Sequence, residues 1–216
     1  MKDIILFDLD GTITDPKVGI TKAVQYALRS FGINVENSDD DLCKFIGPPL
    51  RQSFKDFYGF GTDKAEEAVR KYREYFLEKG IYENTMYEGM DVMLDKLKKR
   101  GKTLIVATSK PTCLAERVLS HFKLDQYFAF VSGAEMNGDR SEKIEIILYA
   151  FEKNKINDPG RCVMVGDRKH DIIGAKKAGI DSIGVLYGYG GREELSDAGA
   201  THLAESVAEL EKLLCG

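Results

Sequence analysis

A chain of 216 residues with a formal charge of −4 is long enough for one large core or for a core with an inserted subdomain. The acidic balance and the lack of a basic cluster exclude an electrostatic case for nucleic acid or an anionic membrane as partner, and no apolar run reaches transmembrane length. The start of the chain leads directly into an apolar stretch with no room for a signal peptide, so a cytoplasmic protein is expected. Cys43, Cys113, Cys162 and Cys215 form no Cys-x-x-Cys pair, so buried free thiols are expected rather than disulfides or a zinc site.

The first element is Ile4-Ile5-Leu6-Phe7, a strand buried on both faces, which switches abruptly to Asp8-Leu9-Asp10-Gly11-Thr12. Two ionised carboxylates about 4 Å apart repel by about 4 kcal/mol at an effective dielectric near 20. A divalent cation offsets that repulsion, and carboxylate oxygens without a nearby His or Cys suit Mg²⁺. Helical spacing then sets in from Ile20 to Phe31, closed by Gly32. A short helix over Asp39 to Phe45, a break at Gly47-Pro48-Pro49 and a helix through Phe57 follow. Asp63 with Glu66 reads as a capping box opening a helix that runs to about Gly80. Residues 16–82 therefore form an all-helical insertion, and 1–15 with 83–216 form the core.

From Tyr87 onward helix and strand alternate. Strands are expected at Thr103 to Ala107, Phe128 to Val131, Cys162 to Val165, Ser182 to Val185 and near Thr201 to Leu203. Helices are expected around Met90 to Leu97, Ala115 to Phe122, Ser141 to Lys153, Asp171 to Ala175 and Ser206 to Leu214. This alternation predicts an α/β fold, a doubly wound, Rossmann-like parallel sheet with the helical cap inserted. Three strand ends are polar, at Asp8/Asp10, Thr108/Ser109 and Asp167, and a parallel sheet puts such ends on one rim. Lys143, at a helix start, can reach that rim. With the backbone amides of Leu9 to Thr12 exposed, the set suits a phosphoryl group.

Asp8-Leu9-Asp10-Gly11-Thr12, Thr108 after an apolar strand, Lys143, and Gly166-Asp167-x-x-x-Asp171 resemble, in order and spacing, the four motifs of the haloacid dehalogenase superfamily of phosphatases. The resemblance spans the chain and includes a helical cap between the first two motifs, as in the phosphoglycolate phosphatase-like branch. It implies an Mg²⁺-dependent phosphomonoester hydrolase acting on a small phosphorylated metabolite through an aspartyl-phosphate. Asp8 would be the nucleophile and Asp10 the acid/base. Thr108 and Lys143 would hold the phosphoryl group, with Gly11, Thr12 and Ser109 as further phosphate-binding candidates; Asp8, Asp167 and the Asp10 carbonyl would hold the metal, with Asp171 either a further ligand or a partner of the ligands. Ser109 stands where Asn is frequent, and Ile144 follows Lys143 where Pro is frequent. Phosphoglycolate leads as substrate, with 5′-nucleotidase as the alternative; a signalling phospho-acceptor domain and a non-catalytic binding protein are readings from other classes.

Four features carry less. Arg51, after the Gly47-Pro48-Pro49-Leu50 loop, is either a substrate contact or a solvated helix charge, and Lys110 is read in the same way. His170 is expected on a loop facing water. Tyr187-Gly188-Tyr189-Gly190-Gly191 lacks Gly-x-Gly-x-x-Gly spacing and reads as a loop near the rim.

Overall fold

The computed structural model describes residues 2–35 and 39–216. The chain divides into two compact units, Met1–Asp15 with Met86–Gly216, and Pro16–Thr85. The second boundary falls at Thr85, three residues beyond the Tyr82 expected from the helical pattern, because a short strand precedes the return to the core.

The core unit begins with β1 (Ile4–Phe7) and ends the first crossing at β2 (Thr14–Asp15); the chain re-enters it through β3 (Thr85–Met86). It then runs α5 (Met90–Lys99), β4 (Thr103–Pro111), α6 (Thr112–His121), β5 (Phe130–Ala134), α7 (Lys143–Asn154), β6 (Cys162–Gly166), α8 (Lys169–Lys177), β7 (Asp181–Val185), α9 (Arg192–Ala198), β8 (His202–Ala204) and α10 (Val207–Cys215). Six strands form one parallel sheet in the order β5-β4-β1-β6-β7-β8. The order reverses beside β1, which pairs with β4 on one side and β6 on the other, so the crevice at the carboxyl ends opens between Asp8 and Asp167.

Successive residues of β1 point to opposite faces. Ile4 and Leu6 join Ile105, Met164, Ile146, Ile147 and Phe151 in a core between the sheet and helices α7 and α8. Ile5 and Phe7, fully buried, project to the other face, where α5 packs against β4 and α10 packs against α5. Burial on both faces is what the uninterrupted apolar run of β1 encodes.

Several elements differ from the sequence expectation. β4 continues through Pro111, with a register shift against β5 between Thr108 and Pro111, so Thr108, Ser109 and Lys110 lie inside the strand, not beyond it. β5 starts at Phe130 because a turn of 3-10 helix occupies Asp125–Tyr127. The helix α9 directly after Gly191 was not anticipated; it is short and its only buried side chain is Leu195, too few for a helical period to show. Of the cysteines only Cys162 is buried, where burial pushes its thiol up to about 11; Cys113 is exposed on α6.

The inserted unit, among its described residues, is helical: α1 (Lys17–Arg29), α2 (Asp39–Leu42) with a 3-10 turn at Cys43–Phe45, α3 (Leu50–Tyr58), α4 (Thr62–Tyr75) and a π turn at Phe76–Gly80. The π turn replaces the last α turn expected to run to Gly80. It brings Gly80 so close to α1 that a Cβ on Gly19 would lie 1.9 Å from the Gly80 carbonyl oxygen. Phe45, Phe54 and Phe60 fill the unit's interior, with ring centroids 5.0 Å and 6.0 Å apart. The expected Asp63/Glu66 capping box is absent: α4 starts after Gly61 without a side-chain cap, and Glu66 instead pairs with Arg51 on α3.

Leu6→Ala removes a fully buried side chain from the sheet centre and is expected to cost about 2–5 kcal/mol. Leu148→Ala, on the exposed side of α7, should cost within about 0.5 kcal/mol. Urea denaturation of both variants checks the difference; equal losses would contradict the placement of the core.

Candidate active site

The site is built from the ends of β1, β4 and β6 and the starts of α7 and α8. Asp8 follows β1 directly, and its amide donates to Val165 of β6 at 2.8 Å, extending the ladder by one residue. Its Oδ1 accepts the Leu9 amide at 2.8 Å and lies 3.1 Å from Lys143 Nζ. Gly11, at φ 82°, turns the chain back, and its amide donates to Thr14. The Thr12 amide donates to the Leu9 carbonyl. The amides of Leu9, Gly11 and Thr12 are therefore engaged within the turn, not exposed as the sequence suggested; a turn this tight satisfies its own donors.

Lys143 opens α7 and is buried. Its Nζ lies 2.7 Å from Asp171 Oδ1 on α8 and donates to the Ala107 carbonyl of β4 at 3.0 Å, which ties three elements together. The lysine stem fits because residue 174 on α8 is glycine; a Cβ there would come within 2.8 Å of Lys143 Cβ. Asp171 also accepts the Arg168 amide through Oδ2 at 3.1 Å, while its buried Oδ1 meets Lys143 as an ion pair and has no hydrogen-bond partner. Lys153, at the far end of α7, is paired with Glu152.

Asp167 is fully buried. Thr12 Oγ1 donates to its Oδ1 at 3.4 Å and the Tyr189 amide to its Oδ2 at 2.8 Å. The loop of tyrosines and glycines after β7 wraps this carboxylate. A Cβ on Gly188 would lie 2.4 Å from Asp167 Cβ, and one on Gly190 2.0 Å from the Asp167 carbonyl oxygen. Tyr187 donates its hydroxyl to the Thr12 carbonyl at 3.0 Å, which locks the loop to the first turn. That interlocking was not legible in the sequence, although the glycine density of the loop was a visible signal of close backbone approach.

The remaining sequence candidates fall as follows. The Asp10 carboxylate turns to Lys110, with which it forms a buried ion pair, so its side chain is not among the gathered metal-type donors. Lys110 is thus neither a solvated nor a helical charge; it is a strand residue under cover. Thr108 is buried, and its Oγ1 accepts the Lys110 amide at 3.3 Å. Ser109 is half-buried and donates to the Ser141 carbonyl at 3.3 Å. His170 lies in the first turn of α8, half-buried rather than on a loop facing water, and burial with the Arg168 and Lys169 charges lowers its pKa. Arg51 belongs to the other unit, where it is partly exposed and pairs with Glu66.

Oxygens of Asp8, Asp167 and Asp171 lie within 4.8 Å of one another, all buried. Asp10 adds a fourth carboxylate, whose Oδ1 is buried without a hydrogen-bond partner. Against four negative groups stand two buried ammonium groups, Lys110 and Lys143. Burial pushes Asp167 well above the usual carboxylate range, with Asp171 and Asp8 adding to the effect. Burial likewise raises Asp10, against the pull of Lys110, and lifts Asp171 to about 6 against the pull of Lys143. Burial works against the Lys143 ammonium, yet Asp171 and Asp8 outweigh it and raise its pKa. The donor set consists of oxygens only and, with all four carboxyls ionised, carries an excess of two negative charges over Lys110 and Lys143, which fits a hard divalent cation.

Residues 5–185 match the family model of the haloacid dehalogenase-like hydrolases. Among curated proteins the chain is 44% identical to a 5′-nucleotidase of Pseudomonas aeruginosa, over 97% of this chain and 94% of that one. It is 36% identical to the tyrosine-protein kinase PtkA of Mycobacterium tuberculosis, over 97% of this chain and 70% of the other. It is 30% identical to a phosphoglycolate phosphatase of Vibrio vulnificus, over 96% and 93%. A crystal structure of a predicted phosphatase from Clostridium acetobutylicum superposes with a TM-score of 0.96 at 46% identity, covering 100% of this chain and 99% of that one. No helix among the described residues is long and apolar enough to cross a membrane.

The raised pKa of Asp171 has a defined sign. Without a cation the folded state holds more protons than the unfolded chain between the ordinary value of 3.8 and about 6, so this group's contribution to stability falls as pH rises through that window. A cation binds the deprotonated carboxylates, so the gain in thermal midpoint on adding Mg²⁺ to chelated protein should grow from about pH 5 to about pH 7.5. A gain that is constant or shrinks over that range would contradict cation binding at the cluster.

Proposed function

This chain belongs to the haloacid dehalogenase-like hydrolases and is a phosphatase, and from that premise we propose that it hydrolyses a small phosphomonoester in two steps centred on Asp8. The observation that carries the reading is the buried arrangement of Asp8, Asp167 and Asp171 around Lys143 at the rim of a parallel sheet. Asp8 Oδ1 is held by the Leu9 amide and Lys143, which orients the other oxygen for in-line attack on phosphorus. The Asp8 O–P bond forms as the ester P–O bond breaks, and the leaving oxygen takes a proton from Asp10. Water, losing a proton to Asp10, then attacks the aspartyl-phosphate; its O–P bond forms and the Asp8 O–P bond breaks, releasing phosphate and restoring both carboxyl groups.

Lys143 places its ammonium beside the phosphoryl oxygens, while Asp171 keeps that lysine in place. Asp8 and Asp167, with the Asp10 carbonyl and the charge of Asp171, would hold Mg²⁺, which when bound supplies Lewis-acid stabilisation of the phosphoryl oxygens. Thr108 and Thr12 add hydroxyls beside the same rim.

Between the two substrate readings we place a nucleoside 5′-monophosphate ahead of phosphoglycolate. The 44% identical relative carries the name 5′-nucleotidase, whereas the phosphoglycolate phosphatase relative is 30% identical. Arg51, the residue that would fork a substrate carboxylate, is engaged by Glu66 within its own unit. We assign discrimination among leaving groups to the inserted unit, since the core groups recognise only the phosphoryl end.

Asp8→Asn should abolish phosphate release from an aryl phosphate while leaving a folded protein, and chelator should abolish it in the wild type. Substantial turnover in either case, on protein free of contaminating phosphatase, would sink the mechanism. A panel of nucleoside monophosphates, phosphoglycolate, sugar phosphates and pyrophosphate should give the highest kcat/KM with a nucleotide, and Arg51→Ala should change the phosphoglycolate value by less than about threefold. A preference for phosphoglycolate, with a loss of about tenfold or more in Arg51→Ala, would reverse the order of the two substrates.

A further inference from the structure

We infer that Lys110 is a positioning residue for Asp10, delivered to it by a bulge in β4, and that it turns one oxygen of that carboxylate toward the leaving group. The inference rests on the acid/base reading of Asp10. Lys110 stands four residues beyond Val106, the last residue of β4 in register with β1, and an unbroken strand would have carried it past the rim. Instead, β4 pairs Thr108 with Gly133 and then Pro111 with Ala134, so Ser109 and Lys110 are extra residues with no counterpart on β5.

Gly133 is what lets the bulge form. A Cβ there would meet the Lys110 carbonyl oxygen at 2.6 Å and the Thr112 amide nitrogen at 2.7 Å. The extra length re-aims Lys110 inward. Its side chain is 5% exposed and its Nζ is paired with Asp10 Oδ2. The Thr108 hydroxyl accepts the Lys110 amide, so the bulge is also pinned at the residue expected on the phosphoryl group.

The two oxygens of Asp10 are thereby made unequal. Oδ2 is held by Lys110, while Oδ1 is buried and has no hydrogen-bond partner. A buried carboxyl oxygen left unmet is costly unless a ligand supplies its partner; protonated for the first step, Oδ1 donates its O–H to the ester oxygen of a bound phosphomonoester, which accepts it. Without the lysine the short Asp10 side chain can rotate, and the match between Oδ1 and the leaving oxygen is lost. A counter-ion that only balanced charge would need no bulge and no distinction between the two oxygens.

The test compares wild type, Lys110→Met, Lys110→Arg, Asp10→Asn and the double variant Lys110→Met/Asp10→Asn, each checked for folding by circular dichroism. The readout is kcat/KM for p-nitrophenyl phosphate, whose leaving group needs little help, and for an alkyl phosphate, whose leaving group needs a proton. Lys110→Met should lose about 10–100-fold on the alkyl ester and less than about threefold on the aryl ester. Lys110→Arg, which keeps a cationic donor, should recover part of the alkyl activity. In the Asp10→Asn background, Lys110→Met should add almost nothing, because there is no longer a carboxylate to orient.

Equal losses on both esters, or a full further loss in the double variant, would overturn the positioning role and leave Lys110 as a structural counter-ion. If Asp10→Asn itself showed no leaving-group dependence, the acid reading would fail instead, so the two failures are distinguishable. Should Lys110→Met not fold, Gly133→Ala, which blocks the bulge without touching either charge, should give the same selective loss on the alkyl ester; a uniform loss there would overturn the inference.

Discussion

Mutual repulsion among buried carboxylates is the constraint on which the core unit depends. Asp8, Asp10, Asp167 and Asp171 are each at least nine-tenths buried, and the ionised oxygens of Asp8, Asp167 and Asp171, within 4.8 Å of one another, oppose folding by several kcal/mol per pair before any compensation. Lys143 meets two of them and Lys110 a third, leaving an excess of two negative charges. Breaking such an arrangement by removing one lysine strands a buried charge, at a cost of about 3–5 kcal/mol. The site is thus poised to take up a divalent cation, and its stability and its chemistry have the same source.

Glycine is the second requirement, because charges this close need backbone this close. Gly11, Gly188 and Gly190 press against Asp167, Gly166 against Asp171 and Gly174 against Lys143; at each, a Cβ would fall within 2.8 Å of the charged residue. These positions come from four separate stretches of chain. They make the rim a crowded, buried shell in which electrostatic interactions are stronger than in water, which is the condition under which fixed charges accelerate phosphoryl transfer.

The two units differ in the groups they contain. The core's charged groups can recognise a phosphoryl group in any ester, so they say little about what it is attached to. The inserted unit has an aromatic interior and a charged surface that includes Arg51 and Glu66. Relatives matched over nearly their whole length bear names as different as 5′-nucleotidase and phosphoglycolate phosphatase, which accords with a common reaction carrying variable specificity.

By itself the sequence determined the parallel sheet with its flanking helices and the family to which the chain belongs. These follow from local patterns: an apolar run too continuous for a one-sided strand, acidic residues just past its end, and strand–helix alternation that aligns all carboxyl ends. The tertiary structure alone decided how those residues are paired. Lys110 read equally as a substrate contact or a solvated charge because its burial depends on a bulge whose space is provided by Gly133, 23 positions away. The amides of the first turn looked available because the acceptors they find, Thr14 and Leu9, are set by the left-handed turn at Gly11. Glu66 looked like a cap for α4, yet a guanidinium on a neighbouring helix is the stronger partner for a carboxylate than an amide at its own helix start. Each misreading has one physical origin: a polar group's partner is chosen by three-dimensional proximity, which spacing along the chain encodes only when the fold is regular.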